Sequence, residues 1–280
     1  MKLSPRYDAT PIIAIDGPFD DQRVPVLRQR RRLEATLVGL DDDAWNAPSR
    51  CDGWRVRDVV AHLVSVDGFW RASVLASVGG APTRFLDGFD PAATPALIVE
   101  GTRTQSSSEV LDQFVAANRA FLALLADLDE SGWSAIAESP AGHVPMRMLA
   151  SHALWDCWVH ERDIALPLGI ARAVEPDEVA SCLRYAAALS PAFAISAGRA
   201  SAGAFAVEAT DPDVRFTLEL GDSVSVRDGG ASAHVPVLRG DAVELVEALS
   251  IRAPLPNTAP PEWRQLLTGL ATVFDQELIP

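Results

Sequence analysis

The chain has 280 residues, about twice the usual single-domain size, enough for two domains or one large one with a substantial core. Hydrophobic residues make up 48% and charged residues 22%, ordinary globular usage that excludes a disordered, collagenous or rod-like chain. With 24 basic and 38 acidic residues the formal charge is −14 and no basic stripe offsets it, which excludes an electrostatic surface for nucleic acid or an anionic membrane.

Every basic residue except Lys2 is arginine and alanine is abundant, a bias of high-GC coding that points to a bacterial source of the actinomycete type. Cys51, Cys157 and Cys182 are scattered, with no CxxC pair, so a disulfide framework is not expected and a reducing compartment is. The opening segment MKLSPRYDATPIIAIDG has no long apolar run followed by a small-residue cleavage site. No window is expected to reach the roughly 18 apolar residues of a membrane span. The expectation is a cytoplasmic protein, neither exported nor anchored.

After a Pro-containing leader, Val26, Leu27, Leu33, Leu37 and Leu40 mark one stripe of a first helix over about 24–40. A turn-rich stretch, DDDAWNAPSRCDGW, precedes a second helix from about Trp54 to Val78, ended by Gly79 and Gly80. The segment 79–104, with Gly, Pro and Thr, reads as a loop and a candidate lid or pocket wall. Ser107 and Ser108 open a third helix carrying Val110, Phe114, Phe121 and Leu125. Past a Gly/Pro turn, PMRMLASHALWDCWVHERDIALPLG is a fourth, broken at Pro167 and stopped at Gly169. PDEVASCLRYAAAL is a shorter one. Long amphipathic helices joined by loops bury their stripes most simply in an antiparallel four-helix bundle.

Near residue 200 the period changes. AFAVEAT, VRFTLEL and SVSVRDG alternate or are β-branched, with turn signals at Asp211-Pro212 and Gly221-Asp222, and read as antiparallel strands. AHVPVLRG is a fourth strand, which Pro236 assigns to an edge or bulge. DAVELVEALSIR and PPEWRQLLTGLATVFDQEL are helices. The expected fold is therefore mostly α: a helical bundle over 1–198 and a small α+β domain over 199–280.

Chemistry concentrates in the fourth helix, in His152-x3-Asp156-x3-His160. Four-residue spacing sets the three side chains on one face, each step turned by only about 40°. Imidazole and carboxylate are ligands for divalent metals such as zinc, whose catalytic sites use three protein ligands and keep a position open. Another helix can supply one, and His62 points into the bundle from the second helix; the other reading of His62 is a hydrogen-bonded core histidine. Shared ligation needs the imidazoles of 62 and 160 to lie well within about 10 Å. No His-Glu-x-x-His, phosphate loop or G-x-S-x-G elbow is present.

CDGWRVRDVVAHL with the preceding Trp45-to-Pro48 segment, and DCWVHERDIALPLG, are similar to the two signature segments of the mycothiol-dependent maleylpyruvate isomerase family, within the DinB-like metal-binding bundles. The match runs almost end to end, and VPVLRGDAVELVEALSIRAPLP resembles that family's smaller C-terminal domain more weakly. The resemblance implies that His62, Asp156 and His160 hold the metal, zinc being usual, that Asp163 lies close to the site, and that Arg252 reaches over it toward a carboxylate. It also implies mycothiol as a thiol brought to the metal, which stabilises the nucleophilic thiolate. The substrate is then a small electrophile, undergoing cis-trans isomerisation or S-transfer, in a monomer or homodimer. The alternatives are a metal-dependent hydrolase and a non-catalytic ligand-binding or sensor protein. Two departures stand out: Asp156 where the family usually has Glu, which brings the metal nearer the helix or brings in His152, and Arg55 before Asp58, where the Ser/Thr of a capping box is lost.

Overall fold

Segments with apolar residues at helical spacing do form helices, and four of them close into a ring. The computed structural model describes residues 2–8, 10–16, 21–199, 202–230 and 234–276. In chain order, β1 (Ile13–Asp16) is followed by α1 (Arg23–Val38), α2 (Asp42–Asn46), α3 (Val56–Val78), α4 (Ala93–Gly101), α5 (Ser107–Ala126) and α6 (Glu130–Ser134). Then come β2 (Ile136–Ser139), β3 (Gly142–Pro145), α7 (Met146–Ala165) and α8 (Pro176–Ser196). α1 and α3 each pack on both α5 and α7, which closes the four-helix bundle. α7 is buried around most of its circumference, because α8 covers the side that the ring leaves open.

The remaining elements are β4 (Gly203–Thr210), β5 (Val214–Leu220), β6 (Val224–Asp228), β7 (Val237–Asp241), α9 (Ala242–Leu249), α10 (Pro261–Leu267) and α11 (Gly269–Val273). The sheet order is β1-β6-β5-β4-β7, with β4, β5 and β6 an antiparallel meander. Val214, Phe216, Leu218 and Leu220 alternate inward along β5 and join the main core. α8 lies between α7 on one side and α9 with the sheet on the other, so it mortises the bundle to the sheet.

The structure departs from the sequence expectation in several places. The leader carries β1, which pairs parallel with β6 and completes the sheet from the other end of the chain. The expected fourth strand is β7, at the edge as Pro236 requires but parallel to β4; its predicted start at Ala233 lies outside the described residues. The Gly/Pro turn before the fourth helix is the β2–β3 hairpin. The last helix is broken into α10 and α11, and its predicted end lies outside the described residues.

The segment 79–104 contains α4, and its first half is pinned rather than free. The fully buried carboxylate of Glu138 accepts hydrogen bonds from Tyr7 Oη at 2.6 Å, Thr83 Oγ1 at 2.6 Å, the Phe85 N–H at 2.9 Å and the Leu86 N–H at 2.7 Å. At the start of α3 half of the capping box survives, since Asp58 Oδ2 accepts from the Arg55 N–H at 3.0 Å. Contrary to expectation, α3 and α8 are long and apolar enough, by length and composition, to cross a membrane. Both are core helices here, α3 against α5 and α7, α8 against α7 and α9.

Candidate metal centre

α3 and α7 run antiparallel, so the first turns of one face the last turns of the other. His62 on α3 meets His160 on α7 with ring centroids 5.1 Å apart, and Trp54 packs against His62 at 5.3 Å. Asp156 stands one turn before His160, its Oδ1 3.7 Å from His160 Nε2. One donor atom from each of His62, Asp156 and His160 lies within 4.8 Å of the other two. Only 15% of the Asp156 side chain and 12% of that of His160 are exposed, so the three meet in a mostly dry place with an edge to solvent.

The state of these donors fits a cation. His62 Nδ1 and Asp156 Oδ2 are buried with no hydrogen-bond partner, an unfavourable arrangement that a shared positive ion relieves. His160 divides its two nitrogens between two carboxylates: Nε2 faces Asp156, while Nδ1 is 3.1 Å from Asp163 Oδ2. A metal-bound imidazole commonly donates its other N–H to a carboxylate, which fixes the ring and raises its basicity. Burial, helped by the neighbouring His160, lowers the His62 pKa to about 4, so His62 offers a free lone pair at neutral pH. Burial also opposes charge on His160, yet its bonds to Asp163 and Cys51 and the charge of Asp156 hold its pKa well above the usual value. A cation taken up there would displace a proton.

A second grouping, Cys51, His160 and Asp163, shares His160. Its charge balance does not suit a cation, because two guanidinium groups already sit on Asp163. Arg252 spans both carboxylate oxygens, Nε to Oδ1 at 3.0 Å and Nη2 to Oδ2 at 2.9 Å, and Arg50 Nε reaches Oδ1 at 3.0 Å. Burial would raise the Asp163 pKa, but the bonds from His160 and Arg252 hold it well below the usual carboxylate range. Arg252 thus faces an acid of the protein itself. The backbone before it is bent to aim it: Ile251 has φ +56°, a left-handed conformation unusual for a β-branched residue. The Arg252 N–H bonds back to the Glu247 carbonyl at 2.8 Å, closing the end of α9.

Cys51, Arg50 and Glu247 were not singled out by the sequence reading. Cys51 Sγ donates to Asp163 Oδ2 at 3.2 Å and lies 3.7 Å from His160 Nδ1. Arg50 bridges Asp163 to Glu247 Oε2 at 2.7 Å, and Arg162 also pairs with Glu247. Cys51 lies in the turn before α3, which the antiparallel run of α3 and α7 brings to the end where α7 finishes. His152, the remaining histidine of the spaced triplet, joins neither donor group and bonds Tyr185 instead.

Residues 26–165 match the family model of the mycothiol maleylpyruvate isomerase N-terminal domain, which is half of the chain. The chain belongs to this family. Among solved structures it is similar to the mycothiol-dependent maleylpyruvate isomerase and to a histidine-to-alanine variant of it. Each match has a TM-score of 0.60 at 15% identity and covers 85% of this chain and 91% of the other. At that identity the likeness is one of fold, and it extends beyond the bundle into the sheet-bearing part. No curated protein matches the sequence.

Proposed function

We propose that this protein is a mycothiol-dependent isomerase of maleylpyruvate or a closely similar cis-alkene conjugated with a carbonyl, and that His62, Asp156 and His160 hold a divalent cation, zinc by their donor chemistry. The observation that carries this reading is the convergence of the three donors, with His62 Nδ1 and Asp156 Oδ2 left buried and unpartnered, in a chain of this family. When bound, the ion would keep the sulfur of the incoming thiol as thiolate at neutral pH. The chain's own residues supply the setting. Asp163 holds His160 Nδ1–H and so keeps Nε2 turned toward Asp156; Arg252 and Arg50 keep Asp163 ionised and fixed. Trp54, packed against His62, gives the site an apolar wall that limits water there.

Isomerisation needs a nucleophile that adds reversibly, rotation about the resulting single bond, and expulsion, with no net change of protons or electrons. A nucleophile brought in as a cofactor suits a site built from metal-type donors. The same reading takes 1–198 and 199–280 as the two functional units, joined at the site by Arg252, and a cytoplasmic protein with access to a reduced thiol.

The test is metal analysis of the purified protein and of His160→Ala, alongside conversion of maleylpyruvate with and without mycothiol. Expected are about one divalent ion per chain, lost in the variant, and a trans product formed only with thiol. Unchanged metal in the variant would reject the ligand set. Turnover without thiol would indicate a hydrolase, and an accumulating conjugate an S-transferase.

A further inference from the structure

One turn before Asp156 on α7, a second set of polar groups meets between α3, α7 and α8. The His152 ring lies 4.6 Å from Trp70, 5.2 Å from Tyr185 and 5.4 Å from Trp155 between centroids. Trp70, His152 and Tyr185 are 3%, 6% and 0% exposed. The two indoles of this box differ. Trp155 Nε1 donates to Ser250 Oγ at 2.8 Å, whereas Trp70 Nε1 is buried with no acceptor.

The hydrogen bond between His152 Nδ1 and Tyr185 Oη, 2.6 Å long, settles where the imidazole proton sits. Tyr185 makes no other hydrogen bond among the described residues, so its single O–H must point at Nδ1; with Nδ1 as donor, the phenol proton would be buried without an acceptor. Nδ1 therefore accepts, and the neutral ring carries its proton on Nε2, which has no protein partner among the described residues. Burial lowers the His152 pKa to about 4, consistent with a neutral ring. Neither uncharged N–H has a protein partner among the described residues, and that of Trp70 is wholly buried; the two rings are in contact one helical turn from a metal-type donor set.

We propose that Trp70 Nε1–H and His152 Nε2–H, the second oriented by Tyr185, form a two-donor subsite for a substrate oxygen that becomes an oxyanion during the reaction. This rests on the isomerase reading above. When a nucleophile adds to the alkene carbon β to a carbonyl, a carbon–nucleophile bond forms, the alkene π bond breaks, and its electron pair moves through to the carbonyl oxygen. Expulsion returns the pair and remakes the π bond. Donors fixed in advance in a dry site favour that oxygen most when its charge is greatest. Being neutral, they bind it without taking a proton and without adding a fixed countercharge to the bundle interior. The ligand class is a planar conjugated oxyanion, an enolate or phenolate.

The experiment uses the metal-containing protein without thiol and measures binding of 4-nitrophenolate by its absorbance, and of its neutral analogue 4-nitroanisole. Wild type is expected to prefer the anion. Trp70→Phe and His152→Phe should each weaken phenolate binding on the order of tenfold, as loss of a hydrogen bond to a charged group does. Nitroanisole binding and metal content should hold in both; Tm should fall in His152→Phe, which leaves the buried Tyr185 O–H without an acceptor, and His152→Gln, which restores an N–H, should recover part of the phenolate affinity. The proposal fails if wild type shows no preference, if neither variant changes phenolate affinity, or if both probes lose equally. Conversion of maleylpyruvate by the same wild-type sample is scored separately: its absence would remove the isomerase reading, while the probe result still decides the subsite.

Discussion

Two carboxylates on α7, two turns apart, are treated in opposite ways. Asp163 accepts from His160, Cys51, Arg50 and Arg252, and is fully buried. Asp156 has one buried oxygen with no partner and another 3.7 Å from His160 Nε2. The saturated acid is a fixture: it pins the 50–51 turn and Arg252, three residues beyond α9, to α7, and through Arg252 the sheet-bearing part reaches the bundle's site. In the proposed reading the unsaturated acid is a binding position, since a buried carboxylate oxygen left without donors is costly unless something else completes it.

The most damaging change to this contrast is removal of the imidazole that both acids share. His160→Ala should abolish stoichiometric metal and lower activity by more than the roughly 10- to 100-fold that loss of an outer partner typically costs. Metal content by elemental analysis, with circular dichroism to confirm the helices, checks it. Asp163→Asn comes next. It should weaken metal binding about 10- to 100-fold by freeing His160, and destabilise the fold by about 3–5 kcal/mol by stranding Arg252, while Arg50 keeps Glu247. The pH dependence has a definite sign. Since the folded Asp163 pKa is depressed, its contribution is complete above the ordinary carboxylate value of about 3.9 and is lost only as pH falls through the lower folded value. Denaturation of wild type and variant should therefore differ from pH 7 to about 5, by an amount that varies as His160, whose proton Asp163 holds, titrates in the unfolded chain at about 6.5, and converge in stronger acid. Convergence at neutral pH would mean that Asp163 is not held as an ion.

The helical periodicity that placed the bundle also placed His62, Asp156 and His160, because a stripe of 3.6-residue period fixes which side chains face inward without knowledge of partners. His152 shows the limit of spacing. Eight residues before His160, it has drifted about 80° around α7, enough to turn from the donor set toward Tyr185 on α8. Short elements escaped for a different reason. β1 is four residues whose ladder partner, β6, lies some 200 residues away, and β2 and β3 owe their form to each other and to Glu138. Cys51, Arg50 and Glu247 lie in or near turns, and a turn's composition does not state which helix end it will meet.

Glu138 sharpens the comparison from outside the site, as a third buried acid with all its needs met. Glu138→Gln turns an amide N–H₂ toward donors and should cost about 1–3 kcal/mol. Protease sensitivity should rise at 83–86, with metal content unchanged, measured by urea titration and limited proteolysis. Metal loss in this variant would mean that saturation alone does not separate fixtures from binding positions.

The smallest effect is expected from Asp156→Glu. Donors bound tetrahedrally at about 2 Å from one ion lie about 3.3 Å apart. Here they are within 4.8 Å of one another, so the set must tighten slightly to share an ion, and a longer side chain gives the carboxylate more reach across the gap. Metal affinity should therefore rise, by less than about tenfold, because the added side-chain freedom opposes the gain. Competition against a chelator of known affinity measures it. A large loss would mean that the carboxylate's position depends on the short side chain and the polar interior beneath it, where Arg30 and Asp67 form a fully buried ion pair at 2.6 Å. The aspartate would then be a matched part of this bundle rather than a shortened glutamate.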